Sequence, residues 1–222
     1  MNAGWDWDQH TRLAFEAIGD TLYMVGLTLL IGGTFGLIIG TALYVTRAGS
    51  VFPNKAVFGV LNVAVNIVRP IPFIILLVAI IPLTQALTGT FIGTTAVIVP
   101  LAIATAFGFS RIVEQNLVTI EPGVIEAARA TGAGPWRIIG TLLVPEALGP
   151  LILGFTFVFV AVIDASAVAG VVGGGGLGDF ALTYGHNRWN PVVTWVAVGI
   201  IIVLVQAVQL LGNVLARKAL RR

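Results

Sequence analysis

Residues 126–148 read EAARATGAGPWRIIGTLLVPEAL. They interrupt a chain that is otherwise a succession of apolar runs, and they decide how the rest is read. The stretch 123–131, GVIEAARAT, is rich in helix formers, and Gly132 follows where a helix commonly ends in a left-handed residue. Pro135 suits the first turn of a second helix, because its missing N–H would be unpaired there anyway. Residues 136–144 place Trp136, Ile139, Leu142 and Leu143 on one face at helical spacing, and Pro145 is expected to close that helix. The segment is thus predicted to be two short helices meeting at a glycine–proline hinge.

The surroundings show where such a knob would sit. Of 222 residues, 57% are hydrophobic and only 10% charged, against about 25% charged in soluble domains. So few charges cannot cover the surface of a soluble protein, and the class is integral membrane. A net charge of +2 gives no reason to invoke nucleic acid, and the absence of cysteine excludes disulfides and thiol chemistry. His10 and His186 lie far apart and suggest no metal site. Five apolar stretches, near 21–45, 57–81, 91–113, 147–172 and 191–216, approach the ~20 residues needed to cross the hydrocarbon core. The first 20 residues carry four acids and one arginine, the reverse of a secretory leader, and are expected as an extracytoplasmic N-terminal segment.

Positive charge orients the spans. Arg47, Lys55, Arg111, Arg129, Arg137, Arg217, Lys218, Arg221 and Arg222 fall on one side, and only Arg12 and Arg188 on the other. The N-terminus is therefore expected outside, the C-terminus with its basic tail 217–222 in the cytoplasm, and 114–146 in a cytoplasmic loop. By its residues alone that loop reads either as an interfacial helix pair or as a docking element for a cytoplasmic partner. The scarcity of basic residues on its polar face and the fixed hinge favour docking.

The spacing of these residues resembles a family pattern. Glu126-Ala127-Ala128, Gly132 after three residues, and Leu142-x-Val144-Pro145 after nine more are similar to the EAA loop of ABC-importer permeases. Leucine and valine stand here for the usual isoleucine and leucine. NIVRPIPFIILL at 66–77, LLVPEAL at 142–148 and GGGGLGDFALTYG at 173–185 extend the resemblance to the methionine-type (MetI-like) permeases across nearly the whole chain. The resemblance implies an all-α permease domain over 21–216, of the type I importer fold, with five spans and a coupling loop at 121–146. It implies a homodimer in the bacterial cell membrane, a separate ATPase dimer carrying ATP and Mg²⁺, and an extracytoplasmic binding protein that delivers an amino acid. This chain itself would hold no cofactor. On that pattern Glu126 makes charge contacts with the ATPase, and Ala127 and Ala128 allow close approach. Gly132 makes the turn, Pro145 sets the helix exit, and Leu142 and Val144 pack against the membrane domain.

Other residues point to a pathway. Arg69 lies inside the second apolar run, where a charge costs about 2.5–3.5 kcal/mol, and must face protein or water. Pro70 and Pro72 remove backbone donors and predict a kink there. The segment reads as a gating helix lining the pathway or as an arginine satisfied by freed carbonyls. Asp164 departs from the small neutral residue expected at its place in the family. It either pairs with Arg69 or faces a watery pathway near Ser166, or sits solvated near the outer interface. The glycine run 173–178 lacks the strand and the Lys-Ser/Thr of a phosphate loop and is expected as a tight re-entrant turn. Gly32, Gly33, Gly36 and Gly40 form a small-residue face for helix packing. A permease for methionine, or next for another small hydrophobic amino acid, is the first reading. A self-powered secondary transporter would show paired repeats, and an intramembrane enzyme a nucleophile–base set; neither pattern is evident.

Overall fold

The computed structural model describes residues 7–220, and every structural statement below concerns those. The first helix, α1 (Trp7–Thr46), is followed by a broken pair, α2 (Lys55–Val68) and α3 (Phe73–Ala79), and a short α4 (Ile81–Thr88). Next come α5 (Thr94–Val118), α6 (Pro122–Ala130) and α7 (Pro135–Gly170). A five-residue α8 (Gly176–Phe180) and the last helix, α9 (Pro191–Leu220), complete the chain. Four of these are long and apolar enough to cross a membrane, and the α2–α3 pair, bent by 106°, raises the number to five if it is one span.

Helix α5 is the centre of the bundle. In its apolar window 61% of residues are buried, against 11% in α9, whose leucines, valines and isoleucines stay exposed. With lipid as the surrounding solvent that exposure carries no penalty, and close packing rather than water exclusion holds the helices together. Small residues allow the approach. A Cβ added at Gly32 would lie 2.6 Å from the Ala102 carbonyl oxygen, at Gly36 2.9 Å from Phe109 Cβ, and at Gly40 2.6 Å from Val113 Cβ. Three glycines of the stripe read from the sequence, Gly32, Gly36 and Gly40, therefore form the α1–α5 seam, while Gly33 faces Phe155 of α7. Gly40→Leu is expected to cost about 1–3 kcal/mol through overpacking and to lower the thermal midpoint in detergent. Gly19→Leu, in open space, should leave that midpoint unchanged; equal midpoints for both variants would refute the seam.

The first helix begins well before the apolar run at 21–45. Residues 7–20, expected as a separate extracytoplasmic segment, continue α1, and their small residues Ala14 and Ala17 pack on Leu177, Phe180 and Val193. Residues 1–6, and Arg221 and Arg222 of the basic tail, lie outside the described residues; 217–220 are helical.

The glycine run turns the chain back into the bundle. Gly173, Gly175 and Gly176 hold φ of 83°, 76° and 75°, a left-handed region that side chains disfavour. The turn drives α8 inward, where Leu177 and Phe180 are 1% and 2% exposed and the Leu177 N–H donates to Thr21 Oγ1 at 2.9 Å. An added Cβ at Gly176 would meet both Met24 and Thr21 at 2.7 Å.

Candidate functional site: a helical knob and a lateral cavity

The knob is built locally. Pro122 occupies the first turn of α6, and the helix ends in a Schellman turn at Gly132, φ 79°. Ala133 N–H donates to Ala128 O at 3.1 Å, and Gly132 N–H to Arg129 O at 2.9 Å, satisfying two carbonyls the helix leaves open. Ile125 and Ala128 face the bundle core, while Glu126, Ala127 and Pro135 are exposed. A β-branched residue at Gly132 would have to hold the left-handed conformation at about 1–2 kcal/mol. Gly132→Val is expected to speed limited proteolysis within 121–134, and an unchanged rate would mean the turn bears no strain.

Two contacts fix the knob to the membrane domain. Arg129 Nη2 donates to Ser50 O at 2.7 Å, and the Trp136 ring sits 5.5 Å from Phe52. Both reach the turn that links α1 to α2, where Asn54 caps α2, its Oδ1 accepting from the Ala56 and Val57 N–H groups at 3.1 Å each. Sequence reading passed over this turn because its partners lie about 80 positions downstream, with no periodicity to betray them.

The second helix differs from expectation. Pro145 does not close it: α7 runs without a break from Pro135 to Gly170. Residues Ile139–Leu143 form a π-helical turn, and the Val144 N–H donates to Ile139 O, five residues back. The wider turn accommodates Pro145, which lacks the N–H that the Thr141 carbonyl would otherwise accept. It also inserts one residue into the helical register. The buried apolar side chains from 135 to 151 are Ile138, Leu143, Ala147 and Leu151, at 1%, 0%, 2% and 8% exposure, spaced five, then four, then four. Of the stripe drawn at uniform helical spacing, Trp136 is 79% exposed, and Val144, which the family resemblance placed against the membrane domain, is 40% exposed. Leu142 does lie against the core.

Of Arg69, Pro70, Pro72, Asp164 and Ser166, only Arg69 lines the cavity between α5 and α7, and the five do not form one cluster around it. Arg69 ends α2, and Ile71 N–H to Val68 O at 3.1 Å tightens the break before α3. Pro72 supplies no donor but accepts from Ile75 N–H at 2.9 Å, starting the new helix. Arg69 lines an open-sided cavity of about 280 Å³ between α5 and α7. Among the described residues no ion pair joins Arg69 to Asp164, which is exposed on α7. Ser166 is buried, its hydroxyl donating to Ile163 O at 2.7 Å. Asp164 and Ser166, two residues apart on a helix, face different sides.

A charge network that sequence reading missed lies where α2 meets α5. Arg111, counted above only as an inside positive charge, pairs with Glu114 and donates to Asn62 Oδ1 at 3.0 Å and to Asn66 Oδ1. It ties α2 to α5. The available signal was a pair of asparagines four apart in an apolar run, facing an Arg–Glu pair three apart.

The model for binding-protein-dependent transport system inner membrane components matches residues 32–221. The chain belongs to that family. It is 41% identical to the probable D-methionine transport system permease protein MetI of Vibrio cholerae, with 94% of this chain and 93% of that protein aligned. It is 39% identical to the methionine import system permease protein MetP of Bacillus subtilis over 90% of both. Among solved structures, an inward-facing conformation of the MetNI methionine ABC transporter superposes with a TM-score of 0.93 at 38% identity, over 96% of this chain and 98% of that one. An amino acid ABC transporter solved with histidines shares the fold, TM-score 0.79 at 20% identity. In this family member the four or five candidate spans form an all-helical, multi-pass permease fold.

Proposed function

We propose that this chain is the membrane-spanning subunit of an ATP-driven methionine importer in the bacterial cell membrane. The observation that carries the reading is the near-complete superposition on the MetNI methionine transporter at 38% identity. The chain crosses five times, counting the bent α2–α3 pair once, with its N-terminus outside and its C-terminus in the cytoplasm. Two copies associate. A separate ATPase dimer, holding ATP and Mg²⁺, receives the knob of each copy, and an extracytoplasmic binding protein supplies the substrate. This chain is not itself the enzyme.

The residues divide the labour. The exposed Glu126 offers a charge to the ATPase cleft, and Ala127 and Ala128 let the helix approach closely. Gly132 and Pro135 hold the angle of the knob, while Leu142 anchors it to the core and the π-helical turn before Pro145 links it to the span behind it. Arg129 and Trp136, held on the 47–54 turn, pass a displacement of the knob to α1 and α2. Arg69, Pro70 and Pro72 form the bend that gates the pathway, with Asp164 and Ser166 on the helix opposite. Asp164 also admits a second reading, transport of another small amino acid.

The test is coexpression with the cognate ATPase and binding protein in cells lacking their own methionine importers. ATP-dependent uptake of labelled methionine and co-purification of the ATPase are expected. Uptake by the chain alone would sink the proposal.

A further inference from the structure

The turn after the first span gathers positive charge that its surroundings do not neutralise. Residues 21–113 contain no Asp or Glu. Phe52 N–H donates to Val45 O at 2.8 Å and Asn54 N–H to Thr46 O at 2.9 Å, folding the turn back on the end of α1. Arg47 and Lys55 follow directly on Thr46 and Asn54, so both cations sit beside that closing bond. Arg129 brings a third from α6, its Nη2 donating to Ser50 O at 2.7 Å, and Arg47 and Arg129 both lie within electrostatic reach of the Tyr44 hydroxyl. Among the described residues none of the three cations has a carboxylate partner. Even Glu126, one turn before Arg129 on α6, makes no ion pair with it.

Three further features point to what neutralises the turn. The Ser50 hydroxyl is shielded and has no hydrogen-bond partner, so a donor waits beside the cations. Trp136 is 79% exposed and its ring lies against Phe52; exposed aromatic rings collect at the level of lipid headgroups. Arg47 is the first residue beyond a helix long and apolar enough to cross a membrane, where the chain leaves the hydrocarbon. A carboxylate on a partner protein would pair with one cation. A lipid phosphodiester meets the whole set, offering oxygens to two guanidiniums and a hydroxyl while its acyl chains cover the rings.

We propose that the 47–55 turn and Arg129 form a binding site for the phosphodiester of an anionic lipid. Arg47 and Arg129 take the phosphate oxygens through their planar forks, the Ser50 hydroxyl donates to one of them, and Lys55 adds attraction for the net negative headgroup. Phe52 and Trp136 lie against the glycerol and acyl region. The lipid then bridges the end of α1 to the knob, whose α6 carries Arg129, and the seating of the knob depends on the lipid beside it. The site rests on the importer reading only in placing this lipid in the cytoplasmic leaflet.

The test is native mass spectrometry of the permease, with the ATPase that co-purifies, released from nanodiscs of equimolar dioleoylphosphatidylglycerol and dioleoylphosphatidylcholine. Wild type is expected to retain phosphatidylglycerol in preference. Arg47→Gln and Lys55→Gln should each weaken that retention about fivefold; both side chains are exposed, so the thermal midpoint should not move. Arg217→Gln/Lys218→Gln, which removes two cations at the end of α9 instead, should leave retention unchanged. Equal retention of the two lipids, or an equal loss in the α9 variant, would overturn the site. Displacement of the lipid by soluble glycerophosphoglycerol or inorganic phosphate would make it a free-phosphate site and overturn the lipid as occupant. Loss of the ATPase from Arg47→Gln with lipid retention intact would assign the patch to the partner protein and sink the proposal. Retention is read without ATP or substrate, so the lipid site can fail while methionine uptake by the coexpressed importer stands, and uptake can fail while retention stands.

Discussion

Permease carrying Ala127→Trp is expected to lose its ATPase on purification while keeping its own fold and thermal midpoint. Ala127 is exposed on α6, flanked by the inward-facing Ile125 and Ala128, so an indole there touches nothing within the chain. It would instead stand between the knob and any cleft shaped to a helix with a methyl group at that place. Loss of fit at the centre of such an interface costs about 2–4 kcal/mol, the range of an interface hot spot, or a roughly thirty- to thousandfold weaker Kd. The measurement is the ATPase-to-permease ratio after affinity purification, with the Kd of the separated subunits as the quantitative arm. Wild-type retention would show that α6 is not the docking surface. A collapsed midpoint would show that Ala127 is part of the core.

The second large effect is expected at Arg111. Its partner Glu114 has a side chain only 7% exposed, and Asn62 and Asn66 turn their carbonyl oxygens to the same guanidinium. Arg111→Leu leaves a buried carboxylate without its cation, a change that costs about 3–5 kcal/mol. It also frees α2 from α5 at the base of the bent pair. Replacing both charges is a different matter, because a buried ion pair exchanged for apolar residues of similar size is often neutral. The double variant Arg111→Leu/Glu114→Leu is therefore expected to recover most of the stability lost by the single one. Unfolding of both in the same detergent decides it; single and double variants equally destabilised would mean that the asparagines, not the pair, hold the helices.

The parts of this protein legible in its sequence are those set by local chemistry. Gly132 reads as a left-handed stop and is one, because only the residues on either side of it determine that conformation. Pro70 and Pro72 read as a break and produce one, because a missing donor breaks a helix whatever surrounds it. The five apolar runs and the glycine stripe of α1 are legible for a similar reason: lipid imposes length, and close helix contact imposes small side chains. The π-helical turn at 139–143 was not legible. Uniform helical spacing put Trp136 on the inward stripe, whereas the burial of Ile138, Leu143 and Ala147 against the core selects a register one residue longer.

By itself the sequence determined the membrane class, the sidedness expected from its arginines and lysines, and the family pattern at Glu126–Pro145. Each follows from spacing or composition along the chain. It read Arg69 as a charge inside an apolar run and Arg111 only as a positive charge at the end of one, and it showed the surroundings of neither. Tertiary structure separates them. Packing of α2 on α5 brings two amides to Arg111, whose own helix supplies the carboxylate of Glu114, whereas the 106° bend after α2 leaves Arg69 facing an open cavity with no side-chain partner among the described residues. Desolvation of a charge depends on what lies beside it in space, and for these two residues that is set by helices far apart in the chain.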